Sequence, residues 1–474
     1  MADATLARTS ASALAALIRA RKVSPVEVLD AHLAVIARVN PQLNAIVTLA
    51  ADAARASARA AEAAVMAGAA IGPLHGLPFA VKDVTDTAGV RTTYGSPLFR
   101  DHVPAADAEV VRRLKAAGAI MLAKTNTPEF ATGANTVNAL FGATRNPWDA
   151  ALSPAGSSGG SAVAVATGMV PLAQGTDFGA SIRLPAAFCG ILGIRPTPGL
   201  IPNHPMPLAW DPGQVHGPLA RSAEDAALML DAMVGPSAGP SPLSPISVAP
   251  PWRSVRDAVA GAGDARGLRV AYAPDIAGIG VDGEIDAVCG AAARRLADAG
   301  AQVEAIAFDA SDGREPYLAW RGAWMVGQQL QNLARLEAFG DNLRDSVAAG
   351  LKITARDLAT AEHARLAVFH RFRELFERYD VLLTPAAPVK PFRVEMKFPT
   401  EINGRKLENY VDWLAPAFLI TLVSLPAGSV PAGLTRDRLP VGLQVVGPRF
   451  AEPLILSVMR LVAEANPIGW PPLA

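Results

Sequence analysis

Residues Pro154 to Pro185 read PAGSSGGSAVAVATGMVPLAQGTDFGASIRLP, two small-residue loops separated by an apolar run. Ser157 lies in the first loop and Ser181 in the second, 24 positions further on. The intervening Ala/Val-rich run is long enough for one buried helix, which would turn the chain back and set the loops side by side. Upstream, Leu77-Pro78-Phe79-Ala80-Val81-Lys82-Asp83 places a lysine in a short apolar strand. Burial disfavours an ammonium, so such a lysine is suited to take a proton from a serine hydroxyl without help from histidine. Strand alternation sends Lys82 and Asp83 to opposite faces, which argues against a simple surface ion pair between them. Two loop serines with a dry lysine point to hydrolysis.

Outward from this stretch the pattern alternates between helix and strand. Two helices open the chain, the second starting at the capping box Ser24-Pro25-Val26-Glu27 and stopping at Asn40-Pro41. An alanine-dense helix over about 49–69 precedes the Leu77–Val81 strand. A helix over 107–118 leads into Ala119-Ile120-Met121-Leu122-Ala123, a second strand. A long helical stretch over about 316–378 runs into the buried strand 379–385, and 440–448 forms a last strand before a final helix. Alternation of this kind predicts an α/β sheet covered on both faces. Six prolines between Pro236 and Pro251 mark 235–267 as a linker or surface excursion. The chain therefore reads as one domain over 1–474, with N-terminal helices over 8–70 and a core over about 70–235 and 268–474.

Composition narrows the function classes. Lysine plus arginine equals aspartate plus glutamate at 43 each, so there is no basic excess for a nucleic acid. Cys189 and Cys289 are too few for a disulfide framework and lack metal-ligand spacing, which fits a reducing cytoplasm. No signal peptide is read at the N-terminus. The charge-free stretch Trp413–Thr435 is broken by Pro416, Pro426 and Pro431, which suits a helix, a turn and a buried strand rather than a membrane span.

The glycine-rich loops have rival readings. A P-loop needs a lysine directly after its last glycine, and neither loop has one. Gly261-Ala262-Gly263-Asp264-Ala265-Arg266-Gly267 has the wrong spacing for a dinucleotide fingerprint. Gly156-Ser157-Ser158-Gly159-Gly160 does satisfy GxSxG with Ser158 as nucleophile, but that elbow must follow a strand. Asn146-Pro147 to Ser153-Pro154 cannot be a central strand, and His363 and His370 fall on a charged helix. The run Asp177-Phe178-Gly179-Ala180-Ser181 instead offers consecutive N–H groups that a turn could aim at one oxygen. Trp320, Trp324, Met325 and Phe339 either roof an apolar pocket or belong to the core.

Longer motifs accompany these loops: Pro78 to Asp83, Lys124-Thr125-Asn126-Thr127-Pro128-Glu129-Phe130, Asn146-Pro147-Trp148, Gly156 to Ser161, Gly175 to Pro185 and Leu439 to Pro448. Together they resemble the amidase signature family of serine amidohydrolases over about residues 10–470. The resemblance implies an α/β fold with a large mixed sheet covered on both faces by helices. It implies Ser181 as the acylated nucleophile, Ser157 on a cis peptide bond as proton relay and Lys82 as general base. Phe178, Gly179, Ala180 and Ser181 would supply oxyanion-hole amides, and Ala131 would line the site near the scissile bond. Ser158, Asp177 and Arg183 would hold the loops in place.

No cofactor, metal, nucleic acid or membrane is implied. The substrate class is a small, neutral and partly hydrophobic amide, with esters and carbamates open to the same chemistry, and the protein a monomer or homodimer. The alternative is the glutamine-hydrolysing A subunit of a tRNA amidotransferase complex, although Leu184 stands where such subunits carry glutamine. Two residues depart from the family pattern: Ala155 replaces the first glycine of GGSSGG, and Ala180 the second glycine before the nucleophile. A positive φ at Ala180 would cost about 1 kcal/mol or more.

Overall fold

A computed structural model describes residues 3–236 and 244–474. Eleven strands form one sheet: β1 (Ile46–Leu49), β2 (Pro78–Lys82), β3 (Ile120–Thr125), β4 (Leu172–Asp177), β5 (Leu192–Arg195), β6 (Val215–Ala220), β7 (Arg269–Tyr272), β8 (Gln302–Ala305), β9 (Val381–Pro385), β10 (Ala427–Leu434) and β11 (Pro440–Val446). Their spatial order is β1-β3-β2-β4-β6-β5-β10-β11-β9-β7-β8. The sheet is mixed: β3, β2 and β4 run parallel, β4 to β9 pair antiparallel, and β9, β7 and β8 are parallel again. Helices cover both faces, as the alternating pattern predicts.

Strand alternation decides where the lysine points. Phe79 and Val81 enter an apolar cluster with the helices Ala11–Arg19 and Glu109–Ala116. Ala80 faces the opposite side, toward the helix Gly159–Ala166 and the N-terminal helix Pro25–Leu43. Lys82 continues the Ala80 face because side chains two apart share a side. It therefore meets the chain just ahead of the helix Gly159–Ala166, where Ser157 and Ser158 lie.

That helix sits very close to the sheet. A Cβ on Gly160 would come within 2.4 Å of the Asn126 backbone nitrogen, and one on Gly159 within 2.2 Å of Thr136 Oγ1. Glycine there is a demand of close approach.

Several boundaries differ from the sequence reading. The run between the serines contains not one helix but a helix of 8 residues followed by strand β4. The first opening helix is two, Asp3–Arg8 and Ala11–Arg19. The capping box at Ser24 and Glu27 forms, but the helix passes through Pro41 to Leu43 and ends at Asn44 in the left-handed region. Proline in a last turn sacrifices a single bond, so it need not stop the helix there. The stretch 316–378 is broken into Arg314–Gln328, a 3₁₀ segment Leu330–Ala338, Asp341–Gly350 and Ala355–Arg378. Within 235–267, residues 237–243 lie outside the described residues, while Val255–Gly261 is a helix capped by Ser254 with Val255 and Val259 buried. Proline counting missed it because the helix starts only after the last proline. Among the described residues no helix is long and apolar enough to cross a membrane.

Candidate active site

Two hydroxyls fasten the first serine loop: Ser153 Oγ accepts from the Ala155 N–H at 3.0 Å, and Thr136 spans the turn. Thr136 Oγ1 donates to the Ala155 carbonyl at 2.8 Å and accepts from the Gly159 N–H at 3.1 Å. Between these anchors the Gly156–Ser157 peptide is cis. The second loop is fastened by a buried ion pair. Arg183 reaches Asp177 through Nη2 to Oδ1 at 2.9 Å and Nε to Oδ2 at 3.1 Å, and Arg195 approaches the same carboxylate at 3.5 Å. All three side chains are fully buried. Burial alone would push the Asp177 carboxyl up, but Arg183 and Arg195 hold it below the usual range. Arg183 also donates to the Gly179 carbonyl at 3.0 Å, the Ala417 carbonyl at 2.7 Å and Gln444 Oε1 at 2.8 Å.

The two loops touch directly, since the Ser158 N–H donates to the Ser181 carbonyl at 3.1 Å. Because Arg183 pins the Gly179 carbonyl, the Ala180 N–H of the same trans peptide must point the opposite way. No acceptor is found among the described residues for the N–H groups of Gly179, Ala180 and Ser181. Ala180 is absent from the residues with positive φ, so its methyl group is unstrained. Of the two departures the left-handed one is Ala155, at φ 60°; Ala131 across the cavity is left-handed too, at φ 58°. The penalty suspected at Ala180 therefore falls on the other departure from the family pattern.

Lys82 is fully buried, and its Nζ lies 2.6 Å from Ser157 Oγ, 2.9 Å from Ser158 Oγ and 2.9 Å from Thr176 Oγ1. Desolvation drives its pKa well below 10.5, with Asp177 opposing. Asp83 is no surface partner of Lys82. It is buried and accepts from the Thr93 N–H and hydroxyl. Ser158 is also not at an elbow: its hydroxyl donates to the Thr176 carbonyl at 3.2 Å and no strand precedes it.

Ser157, Ser181, Phe178, Gly179, Ala180 and Ala131 line one cavity of about 50 Å³. Ser158, Asp177 and Arg183 lie outside it and act on the loops. Trp324 and Met325 join the wall, with Phe178 stacked on Trp324 at 4.3 Å, while Trp320 packs behind Phe178 at 5.1 Å. Phe339 belongs to the apolar cluster beneath. Sequence reasoning missed Thr176, Tyr317, Arg321 and Tyr410, which also line the cavity. For Thr176 a signal existed, since it lies just ahead of Asp177; the other three come from segments distant in sequence. Arg321 and Tyr410 are also shared with an adjoining groove of about 1030 Å³. Among the described residues no three His, Cys, Asp or Glu side chains converge as a metal would need.

Known proteins resemble this chain over most of its length. The Amidase family model matches residues 27–456. An acylamidase of Rhodococcus erythropolis is 35% identical, covering 96% of this chain and 95% of its own. The glutamyl-tRNA(Gln) amidotransferase of Acidothermus cellulolyticus contains an A subunit that is 36% identical, covering 96% and 93%. Among solved structures, a bacterial aryl acylamidase of the amidase signature family superposes with a TM-score of 0.89 at 28% identity, covering 97% and 96%. With the family model spanning most of the chain and full-length relatives above 30% identity, this chain belongs to the amidase signature family, hydrolases that act on carbon–nitrogen bonds.

Proposed function

We propose that the chain cleaves the C–N bond of a small acyl amide through an ester on Ser181. The observation that carries this reading is the 2.6 Å approach of the dry Lys82 amine to Ser157 Oγ beside a cavity that Ser157 and Ser181 share. A neutral amine donates two hydrogen bonds and accepts one through its lone pair. Ser158 has committed its own proton to the Thr176 carbonyl, so Ser157 is the nearest hydroxyl with a proton to give. In the first half-reaction Ser181 Oγ bonds to the substrate carbonyl carbon while its proton passes to Ser157 and the Ser157 proton to Lys82. The negative oxygen meets the unpartnered N–H groups of Gly179, Ala180 and Ser181. The C–N bond then breaks, and the proton returns through Ser157 to the leaving amine. Water repeats the sequence on the ester and frees the acid.

Phe178, Trp324 and Met325 give the cavity an apolar wall, which favours an acyl or aryl group next to the reacting carbonyl. Esters and carbamates present the same carbonyl, so a panel of anilides, aliphatic amides, esters and carbamates ranks them. Hydrolysis of an activated anilide by the purified chain, lost in Ser181→Ala, with an acyl adduct seen by mass spectrometry on Ser181, is the expected result. Full activity in Ser181→Ala or Lys82→Ala ends the proposal. A second reading, ammonia release from glutamine within a complex, is favoured by the likeness to amidotransferase A subunits. Glutaminase activity that appears only with partner subunits would select it.

A further inference from the structure

Helix Arg314–Gln328 presents one face to the catalytic cavity, and the residues on it are Tyr317, Arg321, Trp324 and Met325. Positions i, i+4 and i+7 stack on one side of a helix, so Tyr317, Arg321 and Trp324 form a single stripe. All three carry hydrogen-bond donors. The Trp324 indole N–H is buried with no acceptor among the described residues. Tyr317 is buried, and burial holds its hydroxyl in the protonated, donating form. Arg321 spends Nη2 on the hydroxyls of Ser346, at 3.3 Å, and Tyr410. Its Nε and Nη1 donate to nothing among the described residues, and no carboxylate lies within 4.0 Å of its guanidinium there. Most other arginines near the site do have acidic partners: Arg183 with Asp177, Arg314 with Asp412, Arg344 with Asp341.

A half-buried guanidinium on the wall of a small cavity, held by two hydroxyls and by the Tyr410 ring 5.3 Å beneath it, and flanked by an orphaned indole N–H, is a donor set awaiting acceptors. Three free guanidinium hydrogens on a planar fork match a carboxylate better than any neutral group. The cavity of about 50 Å³ holds little beyond the reacting carbonyl, so the rest of a substrate must extend past Arg321 and Tyr410 into the groove of about 1030 Å³. The anion would sit at that junction. We propose that Tyr317, Arg321 and Trp324 form a carboxylate subsite and that the preferred substrate is an amide bearing a free carboxylate away from the scissile bond. This rests on Ser181 being the reacting residue. It replaces the neutral substrate expected from sequence, where no cation could be tied to the site.

The test uses the whole chain and two matched substrate pairs, butyryl against succinyl 4-nitroanilide and acetanilide against 3-carboxyacetanilide. In one pair the carboxylated member should have a kcat/KM at least about tenfold higher, through a lower KM, as expected for a charge-assisted bidentate contact. Arg321→Gln should bring that ratio to about one, Arg321→Lys should keep part of it, and Trp324→Phe should lower it a few-fold. A ratio of one or less in both pairs, or a ratio untouched by Arg321→Gln, overturns the subsite while leaving the Ser181 chemistry standing. Should no anilide be cleaved, the Ser181 reading fails, and calorimetric titration with glutarate and butyrate decides the subsite separately. Tighter glutarate binding that Arg321→Gln abolishes supports it, and equal binding overturns it.

Discussion

Replacing Gly179 by alanine isolates the geometry of the loop proposed to hold the oxyanion. Gly179 does not have a left-handed backbone, so alanine suits its φ and ψ, and only space opposes it. A Cβ there would lie 2.6 Å from the Tyr317 hydroxyl oxygen, about 0.8 Å short of an ordinary contact at 3.4 Å. Tyr317 cannot easily retreat, because its ring stacks on Phe418 with centroids 4.1 Å apart and planes 4° from parallel. Gly179 cannot easily retreat either, because Arg183 holds its carbonyl. If the strain falls on the tyrosine, the cost is that of overpacking a core, about 1–3 kcal/mol of stability. If it falls on the loop, an N–H donor is displaced, and losing one such donor costs about 10²–10³ in kcat. The expected outcome is a kcat near 1% of the parent with a modest loss of stability in urea, read by anilide hydrolysis and circular dichroism. Adding Tyr317→Phe removes the colliding oxygen and should recover at least about tenfold of kcat relative to Gly179→Ala alone. Parent-level kcat in Gly179→Ala, or no recovery in the double variant, refutes the reasoning.

Lys82 makes a second prediction through pH. Its pKa is depressed on folding, so below that value both states carry the proton and the folded state bears the full cost of a dry ammonium. Between that value and 10.5 the unfolded chain binds more protons, so stability rises with pH across this window. Lys124, pushed down to about 8 by burial, adds a rise of the same sign, so the quantity to compare is the parent minus Lys82→Met, which should lose the Lys82 part of the slope. Activity should rise along a limb with a midpoint below 10.5; a profile falling above neutrality contradicts a neutral lysine base. Asp177→Asn strips the partner from two buried arginines and should cost about 3–5 kcal/mol in denaturant titration; a loss under 1 kcal/mol would remove the ion pair as the anchor of the loop. Ala155→Gly relieves about 1–2 kcal/mol of left-handed strain but loses a buried methyl and rigidity, about 0.8 and 0.4–1 kcal/mol, so stability should stay within about 1 kcal/mol of the parent. Ala180→Gly has no strain to relieve and should be the more destabilising of the two.

Much of the candidate site was legible because its parts are local. Strand β2 is a run of apolar residues whose alternation places Lys82 on the Ala80 face, and that requires only neighbours in sequence. The helix over 415–422 and strand over 427–434 follow from the prolines of the charge-free stretch in the same way. The stretch 316–378 was harder to read. Its breaks come where Gly340 and the Thr354 capping box interrupt it, and where Gly350 passes so close to Gly322 that a Cβ would meet the Gly322 carbonyl oxygen at 2.2 Å. Helical periodicity carries no trace of such a crossing.

The chemical inventory of the protein, a lysine in an apolar strand and two serines in bendable loops, is a property of the sequence alone, since residue type and spacing determine which protons can move. Which serine can give its proton to Lys82 is decided only by the fold. Ser157 and Ser158 are adjacent in the chain, and a carbonyl of strand β4 occupies the Ser158 proton. The same holds for Ala155 and Ala180, alike on paper and opposite in backbone strain once the loops are built. Arg321 belongs wholly to the tertiary structure: 140 residues from Ser181, it reaches the cavity because its helix packs against the helices Asp341–Gly350, Ala355–Arg378 and Ala415–Leu422, and its two hydroxyl partners leave Nε and Nη1 unspent. Local propensity places residues on elements, but desolvation and donor counting act between elements, and those exist only after folding.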